Sequence, residues 1–303
     1  MAGERTSSLR ILLDRLFDYA GMFPPASRSF EEALQESGSF RATLKRPWMI
    51  ASDLVLDTEH ARKLIGVNLG VYPFPSPLRI CLLGTEDPES VMETVRQIAH
   101  KEPAVAVSSV EIKGAPAAIA ETIDQYASLV SSGETTLALE PNLSGDDWEG
   151  ALQQAVASLR KSPLRPALKC RLTGATGITA ERFAAAIITS CDAGVPLKVT
   201  GGLHHPIVEQ ERYGFPMGFL NVTSGVMFRR AFGGKITQSL LVEILTNSDH
   251  KAYGLGDALR FKELKLSLSE LQHVKSIAPF TIGSCSLAEP DHDLTRLFGD
   301  TPA

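Results

Sequence analysis

The chain has 303 residues, of which 44% are hydrophobic and 21% are charged, a composition typical of a folded globular protein with a sizeable core. Its 35 acidic and 30 basic side chains give a formal net charge of −5, which argues against a general nucleic-acid-binding protein, because such a protein needs a basic surface. No run of about 18 apolar residues is present, so we expect no membrane span. The N-terminal segment does not have the pattern of a secretory signal, and the 4 cysteines lack metal-ligand spacing. We therefore expect a cytoplasmic protein with reduced thiols.

Short apolar runs rich in β-branched residues recur along the chain at about thirty-residue intervals, which is the length of a strand–helix unit. Helical patterns separate them, and one of these, Thr179–Ala193, has a threonine start signal and is followed by Gly194 as a stop signal. Eight such runs predict a (β/α)8 barrel, and the alternative is an open doubly wound sheet. In chain order the predicted strands are Leu16–Phe23, Trp48–Leu54, Leu78–Gly84, Ser109–Gly114, Thr135–Pro141, Pro166–Leu172, Pro196–Gly202 and Pro279–Ser284. The other predicted helices of the repeat are Asp87–His100, Pro116–Val130 and Asp146–Lys161.

The region 203–277 is longer than one strand–helix unit requires. It contains helical patterns over Gly218–Phe232 and Ile236–Thr246 and a hairpin pattern over Ala258–Ser267. We interpret residues 1–303 as a single barrel domain with an N-terminal helical extension and with this region as an elaborated insertion after the seventh strand. Because active-site loops lie at that end of the strands, one role for the insertion is that of a lid. In the open-sheet alternative it forms a separate subdomain.

Charged side chains occupy alternate positions of four neighbouring predicted strands. Because alternate residues of a barrel strand point to the same side, we expect these side chains to share the barrel interior. The alternative is a structural ion-pair network, or a register slip that turns some of them outward. The charged residues concerned are Glu111, Lys113, Glu140, Lys169, Arg171 and Lys198, and the uncharged Thr200 shares a face with Lys198.

The lysines of this cluster favour one kind of chemistry. Lys169 has Arg171 two residues away and Lys198 on the next strand, so we expect crowding by cations and burial to lower its pKa and free its amine for Schiff-base formation. Glu111 or Glu140 would then transfer protons. In a rival interpretation the three cations hold an anionic substrate such as a carboxylate or phosphate. The two interpretations are compatible.

Two glycine-containing segments follow the seventh and eighth predicted strands. Gly201-Gly202 and Gly283-Ser284-Cys285-Ser286 occupy the two loops that often form a phosphate site in barrels. His204 and His205 come next to the first pair, and since adjacent side chains diverge, we expect one to face the site and the other to be structural. We interpret Cys285 as an inert thiol in a turn.

Seven short segments follow one another along the chain: Phe17–Ala20, Met22–Pro24, Val110–Ile112, Leu139–Glu140, Leu168–Lys169, Lys198–Gly202 and Ile282–Ser286. In this order they resemble motifs of the deoxyribose-phosphate aldolase family of class I aldolase barrels. In that family the sixth strand carries a Schiff-base lysine, where Lys169 stands here, and a second lysine precedes a glycine pair, as Lys198 does here. Glu111 stands where the family has an aspartate. The segments Gly202–Pro206 and Gly283–Ser286 are also similar to an uncharacterised bacterial protein group.

The residues and the resemblance together predict a lyase of the class I aldolase type that acts on a small carbonyl or anionic substrate. Lys169 would form the imine, Lys198 would depress its pKa, and Glu111 would move protons. We expect no cofactor, no nucleic-acid or membrane partner, and association into a homo-oligomer. The residues expected to bind substrate are Asp18 at the barrel mouth, Lys113, Glu140, Arg171, Thr200, Gly201, Gly202, His204, His205 and Ser284.

Two other functions remain open at this point. One is a metal-dependent sugar isomerase or hydrolase that uses Glu140 with His204 or His205, although no HxH or HExxH spacing is present. The other is a non-catalytic barrel that binds a small molecule. The barrel fold hosts many chemistries and does not distinguish among the three.

Overall fold

The computed structural model describes residues 7–74, 77–84, 87–114, 118–126, 135–209 and 217–299. Its centre is a nine-stranded parallel sheet whose strands alternate with helices along the chain, which confirms the predicted α/β barrel. The strands lie in the order β2-β1-β12-β8-β7-β6-β5-β4-β3. Their bounds are β1 Phe17–Tyr19, β2 Ile50–Ser52, β3 Leu54–Asp57, β4 Leu78–Leu83, β5 Val105–Lys113, β6 Thr136–Glu140, β7 Ala167–Arg171, β8 Leu197–Thr200 and β12 Phe280–Ser284.

The two ends of the sheet are joined by one stretch of chain. Only Asp53 separates β2 from β3, and β2 pairs with β1 while β3 pairs with β4, so the barrel is nearly closed. The single strand predicted over Trp48–Leu54 is therefore wrong in its bounds. Asp53 interrupts the run because its backbone N–H donates to the Arg79 carbonyl at 2.8 Å and its carboxylate accepts from the Arg79 N–H at 2.9 Å.

The helices cover the outside of the barrel. Predicted start and stop signals act as expected in Ala180–Ala193, where the Thr179 hydroxyl accepts from the Arg182 N–H and Gly194 ends the helix with a φ of 69°. Of the helix predicted over 116–130, the structure describes Ile119–Gln125, and residues 115–117 and 127–134 lie outside the described part. The helices are α1 Ser8–Leu13, α2 Phe30–Thr43, α3 Thr58–Lys63, α4 Pro88–Lys101, α5 Ile119–Gln125, α6 Trp148–Lys161, α7 Ala180–Ala193, α8 Phe219–Phe232, α9 Gln238–Thr246, α10 Leu268–Ile277 and α11 Ala288–Phe298.

The described part of the insertion is packed against the barrel rather than placed as a lid over it. Helix α8 is buried from Phe219 to Arg229, and the Phe219 ring meets the Phe17 ring of β1 edge-on, with centroids 5.3 Å apart. The predicted hairpin is confirmed as β10 (Ala258–Phe261) and β11 (Leu264–Ser267), to which β9 (Tyr253–Leu255) adds a third antiparallel strand. Residues 210–216 of the insertion lie outside the described part.

None of the helices in the described ranges combines the length and the apolar character that crossing a bilayer requires. The longest of them, such as α4, α6 and α7, carry charged side chains on one face and apolar side chains on the other. They bury the apolar face against the barrel strands, which is the usual arrangement of the outer layer of this fold.

Candidate active site

A continuous chain of ion pairs runs through the barrel interior, and we call it the ionic chain. It begins at Asp18 on β1, whose Oδ2 lies 2.6 Å from Nζ of Lys198 on β8. The same ammonium lies 2.6 Å from Oε1 of Glu111 on β5. The Cys81 thiol on β4 also reaches Glu111 Oε1, at 3.0 Å. The interior position of Lys198 and Glu111 follows from the strand pattern, whereas the contacts of Asp18 and Cys81 that hold them were not predicted.

The second half of the ionic chain surrounds Lys169 on β7. Its Nζ lies 2.6 Å from Glu111 Oε2 and 2.6 Å from Oε2 of Glu140 on β6. Glu140 in turn accepts two hydrogen bonds from the Arg171 guanidinium, at 2.7 Å from Nε and 3.2 Å from Nη2. The predicted cluster is therefore real, and carboxylates and cations alternate along it.

This alternation explains how so many charges can be buried. The side chains of Lys169, Lys198 and Glu111 are 5%, 4% and 4% exposed, and an unpaired charge at such depth would be strongly destabilising. Three carboxylates face three cations along the ionic chain, so the formal charges cancel. The arrangement gives each buried charge an adjacent charge of opposite sign.

The ionic chain corrects our expectation about Lys169. Burial favours its neutral amine, but the adjacent carboxylates Glu111 and Glu140 outweigh burial and raise its pKa above the ordinary value. Lys198, which we expected to depress that pKa, is itself held as an ammonium, because Asp18 and Glu111 outweigh its burial and raise its pKa. For Glu111, burial is outweighed by the two ammonium groups, and its pKa is well below the ordinary value.

A cavity of about 600 Å³ opens at the carboxyl ends of the strands, and we call it the mouth cavity. Lys169, Glu111 and Arg171 of the ionic chain are among the residues that line it. Lys198 and Asp18 instead border a second cavity of about 400 Å³ at the amino ends of the strands. The expectation that Asp18 points into the mouth is therefore wrong, and Lys169 is the lysine of the pair that faces the mouth cavity. Other lining residues include Phe23, Pro24, Pro25, Val55, Leu83, Thr173, Thr200, Gly201, Gly202, His204, Gly283 and Cys285.

The predicted glycine pair shapes one wall of the mouth cavity. Gly201 and Gly202 have φ values of 90° and 76°, which favour glycine, and a Cβ on Gly201 would lie 2.5 Å from Thr173 Oγ1. Thr200, one residue earlier, has a buried Oγ1 without a hydrogen-bond partner within the described residues.

Two predicted substrate-binding residues have other positions. Lys113 is exposed at the carboxyl end of β5, outside the ionic chain. Ser284 is buried at the end of β12, and its hydroxyl donates to the Ser286 carbonyl at 2.6 Å. Ser284 thus stabilises its own turn.

The adjacent histidines diverge, as predicted. His204 borders the mouth cavity, with Nδ1 3.2 Å from Oε2 of Glu289, whereas His205 Nδ1 lies 2.6 Å from Oδ2 of Asp293 on α11. In the part of the chain that the structure describes, no three His, Cys, Asp or Glu side chains form a group that could hold a metal ion. Glu140, the third member of the metal alternative, is engaged by Lys169 and Arg171.

One contact at the mouth was not predicted. The Cys285 Sγ lies 3.5 Å from His204 Nε2, although 81 residues separate the two in sequence. A signal did exist, because each residue follows the carboxyl end of one of two paired strands, β8 and β12.

Comparisons with protein-family models and with curated proteins find no match for this chain. The barrel fold by itself is compatible with many activities. The chemistry of the site must therefore be judged from its side chains and their geometry.

Proposed function

We propose that the protein is a lyase of the class I aldolase type, in which Lys169 forms an imine with a small carbonyl substrate. One observation carries the proposal: Lys169 borders the mouth cavity, and its amine contacts two carboxylates, each at 2.6 Å. A lysine that attacks a carbonyl needs access to substrate and an adjacent group that can take its proton. The resemblance to the deoxyribose-phosphate aldolases supports the same choice of lysine.

The raised pKa of Lys169 makes loss of its proton the demanding step of the proposed reaction. Glu111 or Glu140 accepts that proton, and the Nζ lone pair then forms a bond to the carbonyl carbon while the π electrons move to oxygen. After the attack, one proton moves from the new cationic nitrogen to the oxygen, which gives the carbinolamine. The carboxylic acid then returns its proton to the hydroxyl, which leaves as water and gives a cationic iminium. The carboxylates that stabilise the ammonium also stabilise this iminium, because both are cations at the same place.

The remaining residues receive roles that differ in part from the initial prediction. Lys198 holds Glu111 in position through its 2.6 Å contact, in place of the predicted effect on the pKa of Lys169. Arg171 donates hydrogen bonds from Nε and Nη2 to Glu140. The guanidinium has further N–H donors, which can bind a carboxylate or phosphate of the substrate. Thr200 and Gly201 also line the mouth cavity, and this part of its wall suits a hydroxylated or anionic group of the substrate.

Borohydride trapping tests this proposal. The protein is incubated with small aldehydes, keto acids and sugar phosphates, borohydride is added, and the intact mass is measured. We expect a mass increase equal to a reduced imine in the wild type and in Lys161→Met, an exposed lysine at the end of α6. Lys169→Arg keeps the buried cation but has no nucleophilic amine, so it should show no adduct.

The control is the folding of the Lys169→Arg variant. Circular dichroism of Lys169→Arg must match the wild type, so that a missing adduct reports chemistry and not unfolding. An adduct of equal yield in Lys169→Arg would remove Lys169 as the nucleophile. No adduct in the wild type across the panel would overturn imine chemistry for these substrate classes.

A further inference from the structure

A thiol, an imidazole and a carboxylate meet at the rim of the mouth cavity. The Cys285 Sγ lies 3.5 Å from His204 Nε2 and 4.0 Å from Nδ1. His204 Nδ1 also lies 3.2 Å from Oε2 of Glu289, in the first turn of α11. A nucleophile beside a base, with a third group that orients the base, is the arrangement that activates cysteine and serine nucleophiles.

The environment of the three groups determines where the proton lies at rest. Burial lowers the pKa of His204, so its ring is neutral and can accept a proton, although Glu289 opposes that shift. Burial raises the pKa of the Cys285 thiol, while a backbone hydrogen bond from Ala26 favours the thiolate. The resting pair is therefore a thiol and a neutral imidazole, and the thiolate forms as His204 takes the proton.

The position of Cys285 gives small molecules access to it. Cys285 and His204 border the mouth cavity and also a neighbouring cavity of about 390 Å³, which Pro25, Arg28 and Glu289 help to line. The sulfur thus lies where two cavities meet, apart from the ion pairs that hold Lys169. By contrast, the thiols of Cys81 and Cys170 are buried.

We propose that Cys285, His204 and Glu289 form a second reactive centre, at which the thiol adds to the carbonyl carbon of a small aldehyde. A bond forms between sulfur and carbon, and the π electrons of the carbonyl move to its oxygen. His204 takes the thiol proton and delivers it to that oxygen, and the product is a hemithioacetal. No oxidant, reductant or leaving group is needed, and the step does not involve Lys169.

Alkylation of the folded protein by iodoacetamide tests the activation of the thiol, with each cysteine followed by peptide mapping. Cys191 is the internal control, because it is also partly buried and burial also raises its thiol pKa, but Arg230 and not a histidine lies beside it. We expect Cys285 to react faster than Cys191. His204→Gln should slow Cys285 by about 100-fold, as expected for loss of a positioned base, and leave Cys191 unchanged.

The aldehyde arm uses Lys169→Arg, so that imine formation cannot contribute. Glyceraldehyde should slow the alkylation of Cys285 but not of Cys191, and glycerol, which lacks the carbonyl, should slow neither. The proposal is overturned if Cys285 reacts no faster than Cys191, or if His204→Gln leaves its rate unchanged. It is also overturned if glyceraldehyde gives no more protection than glycerol. None of these outcomes depends on whether Lys169 forms an imine.

Discussion

Replacing Lys198 by methionine removes the cation that joins Asp18 to Glu111 in the ionic chain and keeps most of the side-chain volume. Lys198 Nζ lies 2.6 Å from Asp18 Oδ2 and 2.6 Å from Glu111 Oε1, and the three side chains are 3–4% exposed. The substitution leaves Asp18 without an ion-pair partner among the described residues and Glu111 with Lys169 alone. Breaking a buried ion pair by removing one partner costs about 3–5 kcal/mol, so we expect Lys198→Met to lower the free energy of unfolding by that amount.

Urea unfolding at neutral pH measures this loss. Lys63→Met is the control, because Lys63 pairs with Glu59 on the exposed face of α3 and a surface pair contributes little. The double variant Asp18→Asn/Lys198→Met should regain part of the lost stability, because it also removes the unpaired carboxylate. A loss below about 1 kcal/mol for Lys198→Met, or no recovery in the double variant, would refute the view that these charges depend on each other for burial.

Two further predictions concern single residues. Burial raises the pKa of Asp53 to about 6, so the folded state binds its proton more tightly than the unfolded state, and this residue's contribution to stability falls as pH rises from about 4 to about 6. Asp53→Asn should therefore gain stability relative to the wild type across that range in urea unfolding, and a constant difference between the two would contradict the assignment. Gly201→Ala should lower stability by about 1 kcal/mol or more, because φ is 90° and the new Cβ would lie 2.5 Å from Thr173 Oγ1. Gly234→Ala is the matched control in thermal unfolding, because a Cβ at Gly234 would have no atom within 4 Å. Equal losses of stability in the two variants would show that the wall of the mouth cavity at Gly201 does not require glycine.

The barrel could be predicted from the sequence because its signal is local. Each strand is a short apolar run bounded by turn residues, and alternation along a strand decides which side chains point inward. The same alternation correctly predicts that Glu111, Lys169 and Lys198 lie close together inside the barrel. The bounds were less predictable where a tertiary contact sets them, as at Asp53, whose bonds to Arg79 divide one predicted strand into two.

The electrostatics of the site could not be predicted in the same way. The sequence shows which charges are close along the chain, and for Lys169 the closest is the cation Arg171. Its nearest partners in space are carboxylates of other strands, and the relative shift of those strands decides the contact. The sign of the pKa shift of Lys169 therefore depends on barrel geometry, as does the meeting of Cys285 with His204.

Mapping the borohydride-reduced adduct to a residue tests the central claim most directly, namely that the lysine facing the mouth cavity is the reactive one. Wild-type protein is trapped with the most productive carbonyl compound, digested, and sequenced by tandem mass spectrometry. Lys169 borders the mouth cavity, whereas Lys198 borders the cavity at the opposite end of the barrel, so the account predicts a modified Lys169 and an unmodified Lys198. An adduct on Lys198, or one spread over surface lysines with Lys169 unmodified, would contradict it.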